Sequence, residues 1–222
     1  MKPRSSRSII PVLATSLLIS ACSRAQNAGP ERDRWQRPDE VLDALNVRTG
    51  SVVADVGCGK GYFATRMAQR VGPDGKVYAE DIQEDVLDDL RHDAGKQGLK
   101  NIEVIEGAPD DPHLPAGMLD VALTMNSYHE WVQYDAMLDH VYAALKPGGL
   151  FGLIDGEAKP GRSREAYHRA HEMPKSMELE DATRHGFRLL REAQGFTRTD
   201  DGKKFYFLIF AKEPRSVNES VQ

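Results

Sequence analysis

The sequence predicts a single α/β domain, a mostly parallel sheet with helices on both faces and one antiparallel strand near its end. Three observations predict it. Ser51 to Phe63 reads as an apolar strand (Val52, Val53, Ala54, Val56) that passes through Gly57, Gly59 and Gly61 into a helix. A near-continuous apolar run of this kind marks a parallel strand covered on both faces. From there to Asp155 strand-like and helix-like segments alternate, as in βαβ construction. Finally, the apolar run Phe205 to Phe210 follows a strand pattern at Phe187 to Glu192, so the chain closes with an antiparallel pair.

Residues 1–22 do not read as fold. Lys2, Arg4 and Arg7 make a basic start, Ile9 to Ile19 is an apolar stretch broken by Pro11, and Ile19-Ser20-Ala21-Cys22 follows. A membrane span needs about 20 apolar residues, so this shorter stretch has the build of a secretory signal. Its last four residues resemble a bacterial lipobox, which implies acylation of Cys22 and attachment to the cell envelope through an N-terminal lipid anchor; an uncleaved anchor or a cytoplasmic chain is the alternative. Cleavage would remove three basic residues and no acid, taking the formal charge from −5 to −8. A chain this acidic, without a basic run, is not built to coat nucleic acid. Cys58 is the only cysteine besides Cys22, which excludes a disulfide framework and a cysteine-based zinc site. Set between two glycines, Cys58 reads as a small packing residue.

Residues 23–34 are polar, include Asn27-Ala-Gly-Pro30, and read as a tether; 35–214 form the domain and 215–222 a polar tail. Pro38 opens a short helix with Val41, Leu42 and Leu45 on one side, and Trp35 before it is either a staple to the core or a lid over the site. After the glycine-rich turn, Phe63, Met67 and Val71 recur on one helix face. Gly72 to Gly75 is a turn, Lys76 to Ile82 a second strand, and Asp85 to Lys96 a helix burying Val86, Leu87 and Leu90. Asn101 to Glu106 and Leu119 to Met125 are the third and fourth strands. The fourth ends in Asn126-Ser-Tyr128-His129-Glu130-Trp131. A helix from Tyr134 to Leu145 is stopped by Lys146-Pro-Gly-Gly149, and Leu150 to Asp155 is the fifth strand. An insertion, Gly156 to Pro174, carries His168 and His171 and precedes a helix from Ser176 to His185.

The glycine loop decides the ligand class. A dinucleotide fingerprint would place its third glycine at position 62, where this chain has Tyr62, which counts against a nicotinamide-dependent oxidoreductase. Instead Asp55 stands two residues before Gly57, giving Asp-x-Gly-x-Gly-x-Gly. A carboxylate there suits a cationic ligand, where a pyrophosphate would want bare N–H groups. The pattern resembles motif I of the class I S-adenosylmethionine-dependent methyltransferases.

That resemblance implies a Rossmann-like, seven-stranded sheet in the order 3-2-1-4-5-7-6 with the seventh strand antiparallel. It implies that Asp55, Gly57, Cys58, Gly59 and Gly61 cradle the methionine end of S-adenosyl-L-methionine. It puts Asp81, with Glu80 as the alternative, on the ribose hydroxyls, and Ile82 under the adenine. The family's acid for the adenine amino group usually follows the glycine directly, where this chain has Ala108; Asp110 or a backbone carbonyl near Ala108 is left to supply the contact. Asn126, Tyr128 and His129 fall where the family faces its methyl acceptor, with Asn126 also bordering the cofactor. His129, whose unperturbed pKa is near 6.5, is a candidate base, unless the cluster caps the next helix or lines the adenine pocket. His168 and His171 with Asp155 or Glu157 have the makings of a metal set, but packed or solvated histidines are the reading adopted and no metal is expected. The resulting expectation is methyl transfer to a small-molecule or lipid-like acceptor. Its rivals are an exported, catalytically inactive binding module and the oxidoreductase.

Overall fold

The computed structural model describes residues 30–193, 196–199 and 202–213. Cys22, the first part of the expected tether, the last residue of the expected domain, 214, and the expected tail, 215–222, lie outside them. The seven long strands are β1 (Val52–Val56), β2 (Lys76–Asp81), β3 (Ile102–Glu106), β4 (Leu119–Met125), β5 (Leu145–Gly156), β6 (Phe187–Glu192) and β8 (Lys204–Lys212), with a two-residue β7 (Thr197–Arg198) before the last; helices follow β1, β2, β4 and β5. The sheet runs β3-β2-β1-β4-β5-β8-β6, and β7 pairs only with β8. The first five strands are parallel, and β8 is antiparallel to β5 and β6. Counting the long strands alone, this is the expected order; β7 is too short to leave a pattern in the sequence.

The sheet is buried on both faces, which is why its strands read as unbroken apolar runs. On β8, Phe205, Phe207 and Ile209 join one core layer and Tyr206, Leu208 and Phe210 the other. The first layer is covered by α2 (Pro38–Ala44), α3 (Tyr62–Val71) and α4 (Glu84–Gln97), through Val41, Leu42, Phe63, Met67, Leu87 and Leu90. The second is covered by α5 (Tyr134–Ala144) and α7 (Lys175–Arg184), through Leu138, Val141 and Ala182. Each large side chain buried this way contributes about 1.5–3 kcal/mol.

Two boundaries differ from expectation. Strand β5 starts at Leu145, directly after α5, because Leu145 already pairs with Leu119; Lys146 to Gly149 then bulge out before Leu150 pairs with Val121. Helix α1 (Pro30–Gln36) begins inside the stretch read as a tether. Seven residues make a marginal helix alone, and tertiary contacts hold this one. Asp33 accepts from the Tyr62 hydroxyl and the Arg66 guanidinium, and the Trp35 ring lies 5.1 Å from that of Phe205.

Strand order departs in opposite directions from β1, toward β2 on one side and β4 on the other. In open α/β sheets this switch point leaves a crevice beyond the carboxyl ends of the strands. The glycine loop after β1, the acids ending β2 and the turn after β4 all meet there.

Candidate active site

The loop after β1 is shaped by what lies behind and in front of it. Gly57 has φ 72°, and a Cβ on it would fall 1.9 Å from Ser127 Oγ, so the turn after β4 leaves no room for a side chain. Gly59, at φ 52°, has no atom within 4 Å of where its Cβ would be. It faces open cleft, an indentation that a side chain would fill. Strand β2 fastens the loop: the Gly57 N–H donates to Glu80 Oε2 (3.2 Å) and the Gly59 N–H to Asp81 Oδ2 (2.8 Å).

Three buried acids, Asp55, Glu80 and Asp81, border the same space. Asp55 is 2% exposed, and its Oδ2 has no hydrogen-bond partner among the described residues. Burial pushes its pKa up to about 7, against the Ala64 N–H and the Arg32 charge, with Asp81 adding to the rise. Burial likewise pushes Glu80 up to about 8; the Gly57 N–H opposes this and the charges of Asp81 and Asp55 reinforce it. An unpartnered buried carboxylate is costly unless a cation completes it. Burial, followed by these carboxylates, pushes the Cys58 thiol far up, so it is a packing residue and no nucleophile.

The cleft has a volume of about 1330 Å³, more than the roughly 300–1,000 Å³ of a typical single-ligand pocket. Of the residues singled out in the sequence, Asp55, Gly57, Cys58, Gly59, Gly61, Asp81, Ile82 and Asn126 all line it. Ile82 is 53% exposed, an apolar side chain left open at the cleft. Asn126 sits at φ 56° as β4 ends, with its N–H given to the Ile154 carbonyl (2.7 Å).

Three expected residues are not brought to the cleft surface. Asp110 is exposed outside it, and Ala108 and Pro109 form that wall instead. Tyr128 is fully buried, and its hydroxyl donates to Asp181 Oδ2 (2.8 Å) on α7. His129 lies beneath the cleft floor at 2% exposure, with Nδ1 2.8 Å from both carboxylate oxygens of Asp155. Burial works against its charge, but Asp155 and then Glu130 outweigh that and raise its pKa to about 9. With no ion at Nε2, this environment favours the protonated imidazole, so His129 is no free base there.

The cleft also has linings that the sequence reading did not assign to it. Glu130, His168 and His171 line the cleft, as do Arg32, Trp35 and Gln36 of α1. Trp35 is thus both staple and cover. Tyr62 carries α1: the guanidinium carbons of Arg32 and Arg66 lie 3.9 and 3.8 Å from its ring centre. Burial lowers the Arg32 pKa. Arg32 Nε donates to Gln36 Oε1 (2.9 Å), one helical turn further along α1.

Residues 53–149 match the family profile described as "Methyltransferase domain". Over 125 residues the chain is 34% identical to the nocamycin O-methyltransferase of Saccharothrix syringae, covering 56% of this chain and 44% of that protein. Over 122 residues it is 30% identical to the demethylmenaquinone methyltransferase of Listeria welshimeri, covering 55% and 51%. The chain spans about half the length of the curated relatives it matches. Among solved structures, a SAM-dependent methyltransferase from Aquifex aeolicus superposes with a TM-score of 0.70 at 24% identity, covering 83% of this chain and 94% of that one. The cyclase SpnF superposes with a TM-score of 0.69 at 17% identity, covering 81% of each. Residues 53–149 therefore have the sequence pattern of a methyltransferase domain and sit in the Rossmann-like fold that S-adenosylmethionine-dependent methyltransferases share.

Proposed function

We propose that this protein transfers a methyl group from S-adenosyl-L-methionine to a small-molecule or lipid-like acceptor. The observation that carries the reading is Asp55: a buried carboxylate at the glycine loop, with one oxygen unpartnered and two further acids beside it. This arrangement fits a cationic ligand and repels a pyrophosphate. When bound, S-adenosylmethionine supplies a methyl already activated on a sulfonium. Asp55 holds the ammonium end, Asp81 accepts from the ribose hydroxyls, and Ile82 offers an apolar face to the adenine, with the wall at Ala108 and Pro109 beside it. Gly59 lets the backbone approach the ligand. Transfer then needs chiefly alignment of the acceptor with the methyl, a task for the side of the cleft formed by Asn126, Glu130, His168 and His171.

The acidic balance argues against a nucleic-acid acceptor, and relatives named for nocamycin and demethylmenaquinone support a small one. The same fold also carries a protein named as a cyclase, which keeps the non-transferring module as a rival. Titration calorimetry with S-adenosylmethionine and with NAD, followed by a labelled-methyl assay against cell extract, separates the readings. Binding of NAD alone, or cofactor binding without turnover, would overturn this one.

We also propose that Cys22 anchors the domain to the cell envelope, supported by the basic, apolar and lipobox-like order of residues 1–22. Among the described residues no helix is long and apolar enough to cross a membrane. Fractionation of the native chain beside Cys22→Ser tests this: a native chain that stays soluble and unprocessed would refute it.

A further inference from the structure

At the acceptor side three ligand-grade atoms meet. His129 Nε2 lies 3.3 Å from His171 Nδ1 and 3.7 Å from Glu130 Oε1, and the last two atoms are 3.3 Å apart. A tetrahedral ion with bonds of about 2.0–2.1 Å holds its ligand atoms about 3.3 Å from one another. The three atoms stand nearly as one face of such a tetrahedron.

The surroundings hold this triangle in place. Asp155 is fully buried, takes the His129 backbone N–H (3.1 Å) and the Gly156 N–H (2.6 Å), and grips His129 Nδ1, leaving Nε2 to point at the cluster. A carboxylate behind a histidine is the usual means of orienting a metal ligand. His171 ends α6 (Arg164–Ala170) at φ 50°, a conformation that costs a non-glycine residue about 1–3 kcal/mol. Its backbone is pinned there, its N–H given to His168 (3.1 Å) and its carbonyl receiving Lys203 Nζ (2.6 Å). Glu130 and His171 line the cleft while His129 closes the floor, so the missing tetrahedral vertex faces the cleft. His168, paired with His171 in the sequence reading, is not part of the set: its Nδ1 donates to the His129 carbonyl (3.0 Å).

We propose that His129, Glu130 and His171 bind one divalent transition-metal ion of the zinc type, with Asp155 orienting His129 and a fourth position open to the methyl acceptor. Two imidazoles and one carboxylate are a recognised donor set for such an open site. An oxygen, nitrogen or sulfur atom of the acceptor would fill the fourth position; that role rests on the proposed function, whereas metal binding itself does not.

The test uses the full chain purified without a histidine tag, stripped with chelator, then loaded with Zn²⁺ or Co²⁺. One metal per chain is expected by elemental analysis, with Co²⁺ giving the visible bands of a four-coordinate site. Because the buried His129 variant can fail to fold, the discriminating variants are Glu130→Gln and His171→Ala, each expected to weaken binding at least 100-fold. Asp155→Asn should weaken it about 10- to 100-fold, and His92→Ala on exposed α4 should change nothing. No retained metal, or equal retention by Glu130→Gln and His171→Ala, overturns the site and leaves a proton shared within the cluster as its explanation. Cofactor binding is measured on the same samples: cofactor binding without metal sinks only this inference, and metal without cofactor sinks only the proposed function.

Discussion

Ser127 Oγ occupies the space that any side chain at position 57 would need, 1.9 Å from the ideal Cβ of Gly57. The turn after β4 thereby shapes the loop after β1, and two segments seventy residues apart become one wall of the cleft. Gly57→Ala would impose about 1–2 kcal/mol for a left-handed L-residue and about 1–3 kcal/mol for overpacking. We expect lower thermal stability and loss of cofactor binding. In the double variant Gly57→Ala/Ser127→Gly only the packing part should recover. A Gly57→Ala protein with unchanged melting and affinity would show that the loop moves freely from β4.

Asp55→Asn should separate binding from stability. A hydrogen bond to a charged group contributes about 1.5–3 kcal/mol, so cofactor affinity should fall about 10- to 100-fold. The unliganded domain should melt no lower than the native one, because the substitution removes a buried carboxylate that lacks a partner. Calorimetry and thermal melting on the same sample check both; a large stability loss with affinity intact would make Asp55 a structural residue.

Cofactor binding should expel protons near neutral pH. In the unliganded domain Asp55 titrates near 7 and Glu80 near 8, both above their unfolded values of 3.8 and 4.5. Their protonation therefore stabilises the free fold fully below about pH 4, and that contribution is lost as pH rises through about 7 to 8. A cation beside them favours the ionised forms, so affinity should climb from about pH 6 and level off above about pH 8. Calorimetry at pH 7 in buffers of different ionisation heat measures the protons released; zero release would mean that the ligand's charge does not meet these acids.

Tyr128→Phe should spare the reaction. The lost hydroxyl bond to Asp181 costs about 0.5–1.5 kcal/mol, cushioned because Arg164 and Arg184 still pair with that carboxylate. If the proposed activity holds, turnover and KM should match those of the native protein, and a large drop in turnover alone would return Tyr128 to the acceptor site.

The sequence by itself determined the succession of strands and helices, the strand order through its family resemblance, and the residues that line the cleft around the glycine loop. These were legible because they depend on local rules: apolar runs make doubly covered strands, glycines permit positive φ, and an acid two residues before them stays beside the loop they form. Asp55, the glycines, Asp81 and Ile82 accordingly all line the cleft. Tertiary structure decided the lining after β4. Whether Tyr128, His129 or Glu130 faces the cleft depends on how the chain turns after the left-handed Asn126 into a 3₁₀ turn, Tyr128–Glu130, and no periodicity in the sequence reports that turn. The turn sends Tyr128 toward α7, puts His129 on Asp155 and leaves Glu130 outward. Helix α1 was hidden for a related reason, since its polar residues carry no apolar stripe and its stability comes from Tyr62, Arg66 and Phe205. The meeting of His129 and Glu130 with His171 lies furthest from the sequence, because it joins residues some forty positions apart through two separate loops, and only the packing of α6 against the end of β4 brings their ligand atoms together.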